Sequence, residues 1–147
     1  LRMKKILIYT DGGARNNPGP AGAGVVILDG THSTSSGQAK KIELKKFLGN
    51  QTNNWAEYEA IALALAEARK HKLEKHNIEV RADSLLVVEQ LSGNWKIKEP
   101  GLKMQHAKVR AMIIAYFPHI HFVHVPREEN GEADRLVNES IDEALSK

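Results

Sequence analysis

The hydrophobic pattern changes period several times along the chain, and each change marks an element. Residues 4–9 are apolar and β-branched, which predicts a strand. Residues 11–24 are rich in Gly, Asn and Pro and predict a loop with tight turns. Residues 23–28 predict a second strand, Asp29-Gly30 a turn, and residues 33–37 an exposed polar stretch. Residues 42–48 predict a third strand with weaker patterning. Asn53 or Asn54 then stands where a cap belongs, ahead of a long helix to about Lys72. Its middle, residues 60–68, is rich in the strong helix formers Ala and Leu. A strand over residues 78–82 follows, then a short helix over 84–91 stopped by Ser92-Gly93-Asn94. Pro100-Gly101 precedes a helix over 102–116. A fifth strand spans 119–125, and a closing helix 132–145. The order β-β-β-α-β-α-α-β-α predicts an α/β fold, with an antiparallel meander first and parallel strands added later.

This order gives meaning to four acids. Asp11 and Asp83 each directly follow a predicted strand, while Glu57 and Asp134 fall in the first turn of two predicted helices. Ligands of open α/β sheets gather beyond the carboxyl ends of the strands, where Asp11 and Asp83 meet if their strands are parallel neighbours. Glu57 shares a helical stripe with Ala60, Ile61, Ala64 and Ala68, and Asp134 shares one with Val137, Ile141 and Leu145. Such stripes face a core, so both acids are aimed at the sheet. Carboxylates buried together need cations to neutralise them, and hard oxygen ligands favour Mg²⁺ or Mn²⁺ over zinc or copper. Taken singly, each acid also fits a plainer role. Glu57 and Asp134 suit a helix dipole, Asp11 a turn, and Asp83 a helix cap.

Composition adds little that is specific. The 147 residues are 41% hydrophobic and 27% charged, which suits one compact domain spanning 1–147. Leu1 and Arg2 precede Met3 and read as a remnant or the product of an upstream start. No apolar run approaches the roughly 20 residues of a membrane helix, and no signal peptide is evident. The absence of cysteine removes disulfides and thiolate metal sites, and makes a reducing cytoplasm the expected location. The net charge of +3 fits a nucleic-acid partner and an unpartnered basic surface equally. His119, His121 and His124 offer a rival metal motif. On a straight strand, however, His124 points away from the other two, so these read as ordinary strand residues.

The context of the acids is more specific. Tyr9-Thr10-Asp11-Gly12-Gly13 with Asn17-Pro18-Gly19-Pro20-Ala21-Gly22-Ala23-Gly24 resembles the opening of type 1 ribonuclease H. Thr52-Asn53-Asn54-Trp55-Ala56-Glu57 is similar to that family's Thr-Asn-Asn-x-x-Glu. Ala82-Asp83-Ser84 and Glu132-Ala133-Asp134 resemble its third and fourth acidic motifs. The four matches run in family order across residues 4–145. The resemblance implies a ribonuclease H-like fold, a five-stranded mixed sheet flanked by helices with the fourth strand beside the first. It implies cleavage of the RNA strand of RNA–DNA hybrids, leaving 5′-phosphate and 3′-hydroxyl ends. It also implies two Mg²⁺ (or Mn²⁺) ions, about 4 Å apart, clamping an in-line displacement. Asp11 is then the expected bridge, with Asp83 and Asp134 on either side. Glu57 is expected to hold one ion and to contact the ribose 2′-hydroxyl. Gly12, Arg15, Asn17, Thr52, Asn53 and Asn54 are the expected substrate contacts. A monomer is expected. Another nuclease on the same fold, a non-catalytic binding module and a domain of a reverse transcriptase are the rival readings.

The chain departs from the family pattern in three places. Many members carry a histidine in the loop before the last acidic helix. Here that loop, residues 126–131, has none, and the sequence does not select among Arg127, Glu128 and Glu129 as a substitute. The long basic protrusion of many bacterial members is reduced to residues 92–103, which keep Trp95, Lys96, Lys98 and Lys103. Weaker and more salt-sensitive hybrid binding is therefore expected. Leu85 stands where a glutamine is common, so one base-edge contact is expected to be missing.

Overall fold

The computed structural model describes residues 2–33, 35 and 37–147, so part of the polar stretch expected over residues 33–37 lies outside the described residues. Five strands form one sheet: β1 (Lys5–Ala14), β2 (Gly19–Ser33), β3 (Ala39–Gln51), β4 (Asn77–Ala82) and β5 (Ile120–His124). The helices are α1 (Asn53–Lys70), α2 (Leu85–Leu91), α3 (Pro100–Tyr116) and α4 (Gly131–Leu145), with one 3₁₀ turn at Arg127–Glu129. The strand order is β3-β2-β1-β4-β5. β1–β2 and β2–β3 are antiparallel, and β1–β4 and β4–β5 are parallel. The expected mixed sheet is present, with the fourth strand beside the first.

The largest correction concerns residues 11–24, expected as a loop. β1 continues through Asp11, Gly12 and Gly13 to Ala14, and β2 begins at Gly19, leaving only residues 15–18 as the turn. Asp11 pairs with Gly24 and Gly13 with Gly22. Glycine weakens a strand by offering no side chain to pack. Here helices fill that space. A Cβ at Gly24 would lie 2.2 Å from the Ala133 carbonyl oxygen of α4, and one at Gly12 would lie 2.2 Å from that of Ala56 in α1. The glycines that read as turn formers are therefore where two helices press onto the sheet.

Alternation along the strands assigns the faces. Ile6, Ile8, Val25, Ile27, Ile78 and Val80 are fully buried in one core with Tyr58, Ile61 and Leu65 of α1 and Val109 of α3. The opposite face meets α4 through Ala133, Val137 and Ile141. The expected stripe on α1 is buried throughout, whereas that on α4 ends before Leu145, which is exposed.

Two helix starts also differ from expectation. Thr52, not Asn53 or Asn54, caps α1, its hydroxyl accepting from the Trp55 N–H at 3.2 Å. Glu57 consequently lies beyond the first turn of α1. α3 begins at Pro100 rather than after it, because proline's missing N–H costs nothing at a helix's first position. No helix among the described residues is long and apolar enough to cross a membrane.

Candidate active site

The register of β1 and β4 sets the site. Thr10 pairs with Ala82, so the residues that follow them, Asp11 in β1 and Asp83 just past β4, come to the same end of the sheet. Asp11 shares the α4 face with its partner Gly24. The bare Gly24 backbone admits the first turn of α4, which brings Asp134 within hydrogen-bonding reach of Asp11. From the other face, α1 supplies Glu57, whose Oε1 accepts the Gly12 N–H at 2.8 Å. Carboxylate oxygens of Asp11, Glu57 and Asp83 all lie within 4.8 Å of one another. The four acids line one cleft of about 410 Å³. The structure thus brings together all four acids singled out in the sequence.

The electrostatics are those of a site prepared for positive charge. Burial pushes the Asp11 carboxyl up to about 7, and the charges of Asp83 and Asp134 add to the rise, while the neighbouring Glu57 side chain works against it. Burial and the Asp11 charge also raise Glu57 well above the usual carboxylate range. Asp83 is raised by burial, with the Asn130 side chain and the Arg127 charge opposing the shift. Glu57 Oε2 is buried with no hydrogen-bond partner among the described residues. An unpartnered buried carboxylate oxygen beside two other carboxylates is costly on its own and satisfied by a cation. The all-oxygen donor set fits a hard divalent ion. No histidine joins this group, and His121 instead meets Glu79 at 3.2 Å.

Gly12, Arg15, Asn53 and Asn54 line the cleft, whereas Asn17 and Thr52 do not. Most of these residues have partners within the chain. Asn53 Oδ1 accepts from the Ala14 N–H at 2.7 Å, and Asn17 Oδ1 from the Asn53 N–H at 2.9 Å. Arg15 is held against α4 by Asp142 at 2.7 Å and by Asn138. The Asn54 side chain, by contrast, makes neither a hydrogen bond nor an ion pair among the described residues.

Asn130 was not singled out in the sequence. It is almost completely buried, donates to the Thr10 carbonyl at 2.8 Å, and reaches Asp83 with the same side chain. Its own carbonyl accepts from the Asp134 N–H at 3.0 Å. The available signal was an asparagine just ahead of the helix that carries Asp134. The structure also separates the charged residues of the 126–131 loop. Arg127 lines the acidic cleft, while Glu128 and Glu129 line a separate hollow with Tyr9 and Leu28.

Comparison with known proteins agrees with this geometry. Residues 9–140 match the reverse transcriptase-like family. A bifunctional protein of Mycobacterium tuberculosis is 41% identical over 140 residues, covering 95% of this chain and 36% of the relative. The chain therefore spans little more than a third of that protein. Ribonuclease HI of Halobacterium salinarum is 36% identical over 143 residues, covering 97% of this chain and 67% of the relative. The crystal structure of a ribonuclease H1 in complex with an RNA/DNA hybrid superposes with a TM-score of 0.85 at 48% identity, covering 95% of this chain and 99% of that one. That enzyme was isolated from compost by a metagenomic approach. Sheet order, acid placement and these relatives agree, and the chain belongs to the type 1 ribonuclease H family.

Proposed function

We propose that the chain hydrolyses the RNA strand of RNA–DNA hybrids, with two Mg²⁺ or Mn²⁺ ions held by Asp11, Glu57, Asp83 and Asp134. The observation that carries this is the meeting of four acids in one cleft, with a buried Glu57 oxygen left unpartnered. Divalent ions in such a site lower the pKa of an attacking water and offset charge on the departing oxygen. Water adds to phosphorus and the bond to the ribose 3′-oxygen breaks. That oxygen takes a proton, leaving a 3′-hydroxyl and a 5′-phosphate.

The chain's own residues divide the remaining work. Asp11, which lies among the other three acids, would be a central ligand of the ions when they bind. Glu57 has one oxygen engaged by Gly12 and the other buried, which favours a role in holding an ion over contact with the 2′-hydroxyl. Telling RNA from DNA requires a partner for that hydroxyl, and Asn54, on the cleft wall with its amide unpaired, is the group best placed to provide it. Arg127, across from Asp83, is placed to meet a phosphate oxygen in a loop that lacks histidine. The protein acts as a monomer in the cytoplasm in this reading, which light scattering and cell fractionation test. The decisive assay offers labelled hybrid, duplex RNA and duplex DNA with Mg²⁺, Mn²⁺ or chelator. Metal-dependent cutting of the RNA strand of the hybrid is expected. Its absence, or undiminished activity of Asp11→Asn, rejects the proposal.

A further inference from the structure

Four acids in one cleft repel a nucleic-acid strand, so a strand that enters needs cations beside them. Among the described residues that line the cleft, the cations are Arg15 and Arg127. Arg15 stands where β1 gives way to the turn, and its side chain lies against α4. Its Nη1 meets Asp142 at 2.7 Å, and its Nη2 donates to the Asn138 carbonyl at 3.4 Å and to Asn138 Oδ1 at 3.3 Å. Asp134, Asn138 and Asp142 recur every fourth residue and so share one face of α4. Asn138 Nδ2 donates to the Asp134 carbonyl at 3.0 Å. The guanidinium thus lies beyond Asp134 by about 6–12 Å of helix, which is the reach of a neighbouring nucleotide.

The fold holds both ends of this contact by other means. The turn is closed by the Arg15 N–H on the Pro20 carbonyl at 2.9 Å and by Asn17 and Asn53. α4 is seated by the buried Ala133, Val137 and Ile141. The tie itself is weak. The Arg15 and Asp142 side chains are 40% and 66% exposed, and such pairs contribute little. Both bonds to Asn138 are longer than the usual distance of about 2.9–3.0 Å. A guanidinium on the cleft wall, held by contacts that exchange easily, is free to turn its fork of donors to a phosphate.

We propose that Arg15 binds the backbone phosphate of a nucleotide neighbouring the cut, and that Asp142 holds it in reserve until a strand arrives. This rests on the proposed hybrid-cutting function, since a strand in the cleft is what brings the phosphate. In the free protein Asp142 and Asn138 occupy the guanidinium. On binding, a phosphate oxygen takes the place of the Asp142 carboxylate. Asp142 therefore competes with the strand, and removing its charge strengthens binding through Arg15.

Anisotropy titration of a labelled RNA–DNA hybrid in chelator, repeated from low to high salt, reads binding with the chemistry stopped. The proteins are the unmodified chain, Arg15→Gln, Asp142→Asn, the double variant, and Lys75→Gln as a control for net charge at a distant exposed lysine. Arg15→Gln is expected to weaken binding roughly fivefold at low salt and to lower the salt slope by about one. Asp142→Asn is expected to tighten binding roughly threefold, and to lose most of that effect when Arg15 is already Gln. Lys75→Gln is expected to bind as the unmodified chain does. The proposal is overturned if Arg15→Gln keeps the unmodified affinity and slope, or if Lys75→Gln weakens binding equally. It is also overturned if Asp142→Asn weakens binding, or tightens it equally in both backgrounds, which is the mark of bulk charge alone. A melting temperature that falls in Arg15→Gln while the salt slope stays put marks a structural tie and rejects the contact. So does a lack of measurable binding by the unmodified chain. Cleavage of the same hybrid in Mg²⁺ by the unmodified chain is measured alongside, so failure of the proposed function is read separately.

Discussion

The Gly12 N–H donates to Glu57 Oε1 at 2.8 Å, and the Gly12 Cα packs directly under the Ala56 carbonyl of the same helix. One residue thus fixes both the distance of α1 from the sheet and the orientation of its acid. Gly12→Ala would place a methyl 2.2 Å from backbone, which cannot rotate away. Overpacking of this kind costs about 3 kcal/mol and lowers the melting temperature by roughly 10 °C. Thermal unfolding checks the first effect. Mg²⁺-dependent cleavage is expected to fall with it, because Glu57 must move.

Asp11 ties stability to pH. Its carboxyl is raised from 3.8 to about 7, so between those values the metal-free folded protein keeps a proton that the unfolded chain releases. The stability linked to this group is therefore full below about pH 4 and lost as pH rises through about 7. Asp11→Asn removes that loss. In chelator at pH 8 it is expected to melt roughly 5 °C higher than the unmodified protein while cutting hybrid at least about 100-fold more slowly. Added Mg²⁺ is expected to raise the melting temperature of the unmodified protein and to do much less for the variant. Differential scanning calorimetry with and without Mg²⁺ reads the melting temperatures, and the labelled-hybrid assay reads the rate.

Asn130 links three pieces of the site through the Thr10 carbonyl, Asp83 and the start of the helix bearing Asp134. Asn130→Ala leaves a buried carbonyl without its donor, at a cost of about 1–3 kcal/mol. Asn130→Asp keeps the shape but replaces a donor by another negative charge beside Asp83. It is expected to be the worse of the two in metal-free protein above pH 7 and to recover partly in Mg²⁺. Thermal unfolding of both variants above pH 7, in chelator and in Mg²⁺, checks the ordering.

The two neighbouring asparagines are expected to separate. Asn53→Ala strips the Ala14 N–H of its acceptor and lowers stability by about 1 kcal/mol. Asn54→Ala breaks no hydrogen bond in the described residues, so its melting temperature is expected to stay put while its KM for hybrid rises. The opposite pattern in melting and steady-state kinetics would reverse these roles.

The element order and the four acids were legible in the sequence because strand alternation and helical stripes are strong local signals. What escaped was the continuation of β1 and β2 through their glycines. A Gly-rich segment reads as a loop when the helices that cover it, α1 over Gly12 and α4 over Gly24, are more than 40 and about 110 residues away in sequence. The cap at Thr52 was displaced to its neighbours for a similar reason, since the Asn53 side chain is drawn off by Ala14 across the fold. Asn130 escaped because its partners, Thr10 and Asp83, are brought to it only by the β1–β4 register.

The extension of β1 past its expected end also bears on which ions the cleft accepts. Asp11 is flanked by rungs on both sides, with Thr10 joined to Val25 and Ala82 and Gly12 joined to Ala23. An acid mounted on a flexible turn could shift to suit a larger guest. One mounted on a braced rail works as a calliper locked at a single setting. Mg²⁺ takes oxygens at about 2.0–2.1 Å and Ca²⁺ at about 2.3–2.6 Å. Calcium is accordingly expected to enter the gap, sit off-gauge, and compete with magnesium without supporting turnover.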